Sequence, residues 1–319
     1  VLAVGARDGY WDEGLPSPGF VQMFAETGAG WEPTARLVAP DGVWDDRFGI
    51  SVALSGDGGT LVVGAVPPAP DQPSRAGVAY VFEDEGAGWG LEGRIESPSY
   101  FGFGWESTIS EDGSRLLVQG YDQDPGSVLV HGVVYAYARD GSTWDLEARF
   151  EGDEEDVSFG GALGLDADGS TGVIGSYQAD LYRGAAIVVR RTGSVWTRGE
   201  ALSNPGLGPN SALGVSVAIG GRTIAAGATR GVGSASLFYA PDGFGVVADP
   251  VDQAGHPFAP VAFTATAAGA DSIATQWQTS ADAGLTWGDV PGATDPRLSF
   301  TPTLADSGRL YRAVFTDGD

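Results

Sequence analysis

A short pattern returns along this chain at nearly constant intervals, and that regularity limits the fold more than any other feature. It begins at Phe48-Gly49-Ile50-Ser51-Val52-Ala53-Leu54-Ser55-Gly56-Asp57-Gly58. It returns at Phe103-Gly104 with Asp112-Gly113, at Phe159-Gly160 with Asp168-Gly169, and at Leu213-Gly214, where Leu replaces Phe. Within each copy, apolar residues alternate with small or polar ones, the period-two signature of a strand. Asp-Gly then marks a tight turn, because such turns need residues that accept positive φ. An apolar run such as Leu61-Val62-Val63 follows, and the second strand closes on glycine at Gly5, Gly64, Gly120, Gly175 and Gly227.

A third strand opens with Gly19, Gly77, Gly132, Gly184 and Gly233, and a fourth carries Trp31, Trp89, Trp144 and Trp196. Four antiparallel strands in every 55 or so residues predict an all-β chain built as a β-propeller of four-stranded blades. Three full blades and two partial ones are expected over residues 1–243. The small-residue strand is expected innermost, where blades taper toward the axis. The tryptophans read as blade packing in preference to platforms for stacking sugars. Closure of the ring requires strands upstream of Val1, so an N-terminal truncation is expected.

After Gly243 the spacing changes. Short apolar segments recur about every ten residues over 244–319, with Trp277 centred in one of them, which predicts a second, small β-sandwich. Its last strand runs up to Asp319, and a C-terminal truncation is expected there too.

The repeated units resemble the FG-GAP repeat, the blade of integrin α-subunit propellers and of many bacterial surface proteins. Phe48-Gly49, Phe103-Gly104, Phe159-Gly160, the Asp-Gly turns and Val63-Gly64-Ala65 carry that likeness. The second segment resembles bacterial immunoglobulin-like domains. Trp277 stands at the core-tryptophan position, Tyr311 at the tyrosine corner, and Ala313 where antibody domains have Cys. The resemblance implies an extracellular or cell-surface binding or adhesion module that contacts a protein or glycan through propeller loops. Segments Val66 to Arg75 and Gly120 to Val130 are the candidate contact loops. A structural spacer within a larger surface protein is the alternative, and a propeller hydrolase or lyase is a third reading.

Charge and composition narrow the partners. Acidic residues number 42 against 17 basic ones, for a net charge of −25, and every basic residue apart from two histidines is Arg. A basic footprint for phosphates is missing, which argues against nucleic acid. No apolar run approaches the length of a membrane helix. Without Cys there is no disulfide, thiolate metal site or Cys nucleophile.

Some FG-GAP relatives bind Ca²⁺ in a loop between the first two strands, and Asp166-Ala167-Asp168-Gly169 is the nearest candidate. Its short turn offers too few oxygens for such a site and reads as a plain turn. His131 and His256 sit in no nucleophile elbow, and the run Glu151-Gly152-Asp153-Glu154-Glu155-Asp156 reads as a solvated connection. The expectation is therefore a chain that is not an enzyme, with no catalytic, cofactor or metal residues assigned.

Overall fold

A computed structural model of the chain describes residues 1–7, 18–43, 45–67, 77–96, 101–123, 130–153, 156–204, 206–221, 223–229, 233–239, 245–248, 260–268, 273–282 and 284–317. They fall into two compact units, Val1–Leu237 and Phe238–Asp319. The expected boundary at 243/244 lies outside the described residues.

The first unit is a series of antiparallel meanders. A three-stranded sheet comes first: β1 (Leu2–Ala6), β2 (Phe20–Thr27) and β3 (Gly30–Leu37). The second blade is β4 (Val52–Leu54), β5 (Thr60–Ala65), β6 (Val78–Asp84) and β7 (Trp89–Glu96). The third is β8 (Ser107–Ile109), β9 (Arg115–Gln123), β10 (Val130–Asp140) and β11 (Thr143–Glu151). The fourth is β12 (Phe159–Leu165), β13 (Thr171–Ser176), β14 (Ala185–Thr192) and β15 (Val195–Leu202). A last three-stranded sheet holds β16 (Ser216–Gly220), β17 (Thr223–Ala228) and β18 (Ser234–Tyr239). In every sheet each strand pairs with its neighbour in sequence, so short local connections set the register.

The hydrophobic core lies between blades. One cluster joins Val21, Met23 and Leu37 of the first sheet to Phe48, Leu61, Val63, Tyr80 and Phe82 of the second blade. The next joins Val62, Val81 and Ile95 to Phe103, Leu116, Val118 and Tyr135. A third joins Leu117, Val134 and Phe150 to Phe159, Ile174, Ile187 and Trp196. The alternation of strand side chains explains this: Val62 faces one neighbour while Leu61 and Val63 face the other. The repeated Phe is fully buried at 48 and 103. It meets aromatic rings of its own third strand edge-on, Phe48 to Tyr80 at 5.5 Å and Phe103 to Tyr135 at 5.8 Å.

The glycine that closes the second strand has a steric cause. A Cβ on Gly64 would overlap the carbonyl oxygen of Gly104 in the next blade, well inside the 3.0 Å that real Cβ atoms keep. Gly5 and Gly175 meet Gly49 and Gly214 in the same way. The third blade departs from this rule and from the sequence expectation. Gly104 N donates to Gln119 O at 2.9 Å, as Gly49 N does to Gly64 O at 2.9 Å, so Gln119 and not Gly120 occupies the glycine position. Gly120 is one residue further along, the place of Ala65 in the second blade.

Adjacent blades are also clipped by charge. Arg191 on β14 donates two hydrogen bonds to Glu147 on β11, at 2.7 and 2.6 Å, and the Trp196 indole N–H donates to the same carboxylate at 2.9 Å. One junction earlier, Arg139 on β10 pairs with Glu92 on β7. Each Glu lies three residues after the outer-strand Trp, and each Arg seven after the third-strand Gly. The Arg191 hydrogen bonds hold the Glu147 carboxyl below its ordinary pKa. Truncating it as Glu147→Ala is expected to cost about 2–3 kcal/mol in urea denaturation at pH 7, less than a fully buried pair. A depressed folded pKa contributes stability above the unfolded value of about 4.3 and loses it as pH falls through the folded pKa. The penalty of the variant should therefore shrink below about pH 4.

Among its described residues the second unit has three small sheets. β19 (Gly245–Ala248) pairs with β21 (Thr266–Ala268), and β20 (Val261–Thr264) with β24 (Arg297–Phe300). β22 (Ile273–Ser280) runs between β23 (Gly288–Asp289) and β25 (Leu310–Asp317). Trp277 is fully buried among Phe263, Leu298, Phe300, Tyr311, Ala313 and Phe315, and it pairs across the ladder with Ala313. The Tyr311 pKa is raised, first by burial and then by the Asp306 carboxylate beside it.

Candidate functional site

In an antiparallel meander successive connections alternate between the two ends of a sheet. In this chain the two ends differ. Connections from first to second and from third to fourth strands take two to five residues, as at 55–59, 110–114 and 141–142. Connections from second to third strands and between blades take five to fourteen, as at 38–51, 66–77 and 203–215. One face of the repeat array therefore carries every long connection, the arrangement in which rigid scaffolds present contact residues. The candidate loops Val66 to Arg75 and Gly120 to Val130 leave from this face, although 68–76 and 124–129 lie outside the described residues.

The tight-turn face is occupied by self-contained hydrogen bonding. Asp57 Oδ1 accepts from Ser55 Oγ at 2.6 Å and Gly59 N at 2.9 Å, and Asp112 repeats this with Ser110 and Ser114. In the third copy Asp166 replaces the serine. Its Oδ1 accepts from Thr171 N at 2.9 Å, and Asp168 Oδ1 accepts from Ser170 N at 2.9 Å. Hydrogen bonds from Ser170 lower the Asp168 pKa. The carboxylates of the calcium candidate are thus committed to shaping the turn. Among the described residues no group of three or more acidic or His side chains is placed to hold a metal ion.

Of the acidic run, Glu154 and Glu155 lie outside the described residues. Asp156 is a turn organiser and not a free surface charge: it accepts from Ser158 N at 3.0 Å, Ser158 Oγ at 2.7 Å and Ser176 Oγ. His256 lies outside the described residues. His131 is buried, with no partner on Nε2. The tryptophans grade from Trp196, buried against Phe150, to Trp31, half exposed. A cleft of about 490 Å³ between β7 and the β10–β11 hairpin is lined by Arg94, Tyr137, Trp144 and Leu146.

Sequence reading missed the most unusual group on the long-connection face. The innermost position that holds Ser51, Ala162 and Ser216 in other blades holds Glu106 in the third. Gln119 N donates to Glu106 O at 2.9 Å just as Gly64 N donates to Ser51 O at 3.0 Å, which fixes this equivalence. Burial pushes the Glu106 carboxyl up to about 7. The signal was present, a charged residue among small ones, and aligning the copies on Asp57 and Asp112 exposes it. The folded state holds this proton between the unfolded pKa of about 4.3 and about 7, so stability declines as pH rises through that window. Glu106→Gln is expected to raise the melting temperature at pH 8 by more than at pH 4, and an equal change at both values would contradict the assignment.

Comparison with known proteins supports the architecture. Residues 31–82 match the FG-GAP repeat. With several four-stranded antiparallel sheets, the chain is an all-β, β-propeller-like repeat protein. Among individual proteins, Endoglucanase C of Cellulomonas fimi is 40% identical over 72 residues, 23% of this chain and 6% of that protein. The chain thus spans only a small fraction of the curated relative it matches. It is similar to the periplasmic gluconolactonase PpgL of Pseudomonas aeruginosa, with a TM-score of 0.46 and 15% identity over 83% of this chain and 77% of the other. It is also similar to a putative 6-phosphogluconolactonase from Bacteroides uniformis, with a TM-score of 0.43 and 12% identity over 68% and 63%.

These two structures correct the expectation that the chain is not an enzyme. Both are named as lactonases, and the absence of a familiar motif excludes no chemistry. At such identities the likeness concerns the fold alone, and no reaction is carried over.

Proposed function

We propose that the chain is an extracellular or cell-surface binding module that contacts a protein or glycan partner through its long-connection face. The observation that carries this reading is the asymmetry of the connections, with tight self-bonded turns at one end and long variable segments at the other. Such segments change composition without disturbing the ladders that position them. The acidic surface, at −25, favours partners that are neutral or basic and disfavours nucleic acid. No described helix is long and apolar enough to cross a membrane. The second unit is read as an immunoglobulin-like sandwich, a reading supported by one core cluster around Trp277 fed from β20, β22, β24 and β25. The test is glycan and protein arrays probed with the full chain and with a variant carrying a Gly-Ser segment of equal length at 66–75. Capture by the parent chain and at least a tenfold loss in the variant is expected. Absence of capture by the parent, or equal capture by both, would overturn the reading.

A further inference from the structure

The junction between the third and fourth blades differs from every other junction described, and the difference is concentrated at one spot on the long-connection face. Elsewhere a Ser or Ala and a Gly occupy the paired positions on the first and second strands, as at Ser51 and Gly64. There Ser51 Oγ donates to Gly104 O of the next blade at 2.9 Å. At this junction the pair is Glu106 and Gln119. By register both side chains leave their sheet on the side of the fourth blade, as Ser51 does toward the third. The fourth blade answers with small residues, Gly160-Gly161-Ala162, and a register shift in β12 between Phe159 and Leu163. A Cβ on Gly160 would lie 2.5 Å from Gln119 Cγ, so the glutamine occupies the space that backbone fills elsewhere.

The wedge leaves one buried polar atom without a partner. Gln119 is completely buried, its Nε2 donates to Gly120 O at 3.0 Å, and its Oε1 has no partner. Glu106 is partly buried, and burial is the sole influence on its carboxyl. The surrounding groups are aromatic. Tyr121, on the same side of β9 as Gln119, stacks on Phe101 with ring centroids 5.1 Å apart. Tyr177, which follows β13, lies beside Gly161 of the same fourth blade. His131 and Asp122, paired with each other in the β9–β10 ladder, face the opposite side of that sheet. The Asp156 carboxylate is committed to Ser158 and Ser176. Arg198 on β15 is held over the Phe159 ring and donates to Glu151 O at 2.7 Å. The described residues of the connections at this junction (101–106, 121–123, 130–132, 151–153 and 156–163) contain Glu106, Asp122, Glu151, Asp153 and Asp156 but no Arg; Arg149 on β11 pairs with Asp122 and Glu151.

From this arrangement we propose that the junction of the third and fourth blades is a binding site for an alkylammonium group, with Glu106 as its counter-ion and Gln119 Oε1 as a hydrogen-bond acceptor. A carboxyl beside an unpartnered acceptor and aromatic rings invites a positive charge, and ring faces attract a desolvated cation. This inference rests on the reading of the long-connection face as the contact surface and supplies the chemistry of one subsite.

The test is a titration of the isotope-labelled full chain with n-butylammonium, followed by NMR, with n-butanol as the neutral control. Saturable shifts of the Gln119 side-chain amide and the Gly160 and Gly161 amides are expected with the amine alone. The cation binds ionised Glu106, so affinity should be about tenfold higher at pH 8 than at pH 6. Glu106→Gln should abolish the response while distant resonances stay in place. Equal effects of butanol, pH-independent binding, or an undiminished response in Glu106→Gln would overturn the site. Array capture that survives in Glu106→Gln would remove this site and leave the wider reading of the face standing.

Discussion

Gly64→Ala is expected to destabilise the first unit by more than about 4 kcal/mol, at the extreme end of single substitutions. The methyl group would enter the carbonyl oxygen of Gly104, a backbone atom that cannot rotate away. The hydrogen bonds anchoring that backbone hold the seam shut from both sides: Gly104 N to Gln119 O at 2.9 Å and Ser51 Oγ to Gly104 O at 2.9 Å. Relief requires the two blades to separate, which exposes part of the layer built from Val62, Val81, Phe103 and Val118. Urea denaturation followed by far-UV circular dichroism would measure the loss. A loss below about 1 kcal/mol would mean the inner strands do not approach as described. The equivalent position of the third blade supplies the counter-experiment: Gln119→Gly should be tolerated far better, because it restores the residue type of the neighbouring blades.

Trp277→Ala is expected to cost about 3–5 kcal/mol in the second unit. The indole is fully buried, and its Nε1 donates to Asp295 O at 2.8 Å. The backbone of the same residue accepts from Val290 N at 2.8 Å and donates to Ala293 O at 2.9 Å. One side chain thus fills the centre of the core and ties down the segment from Val290 to Asp295. Without it the Phe263, Phe300 and Tyr311 rings lose their common neighbour. The expected result is collapse of the dispersed NMR signals of β22 and β25 at a temperature where the parent unit is folded. Retention of those signals would refute the central role of Trp277.

Much of the fold was legible because its repeat is written in residues with steric or turn-forming duties. Phe48, Asp57 and Gly64 each have one task, and each recurs where that task recurs. The strand-closing glycine in the third blade was misplaced by one residue because Gly120 stands beside the true position. Only the backbone pairing of Gln119 separates the two. Glu106 was overlooked for a related reason. Its place among the small residues Ser51, Ala162 and Ser216 shows only when the copies are aligned position by position. The inter-blade clips of Glu92 with Arg139 and Glu147 with Arg191 were also invisible, since their partners stand 47 and 44 residues apart. Absence of a familiar motif, finally, was a poor guide to whether the chain catalyses anything.

Because each apolar layer is shared, half from one blade and half from the next, no blade owns a core. The heritable part is therefore the interval between equivalent residues, wherever its ends are drawn. A copy running from Phe48 to Gly102 carries a complete set of complementary halves, and so does one cut at any other phase. Duplication of such an interval needs no matching breakpoint to yield a seam that fits. Arrays of this kind can lengthen by accident and still fold.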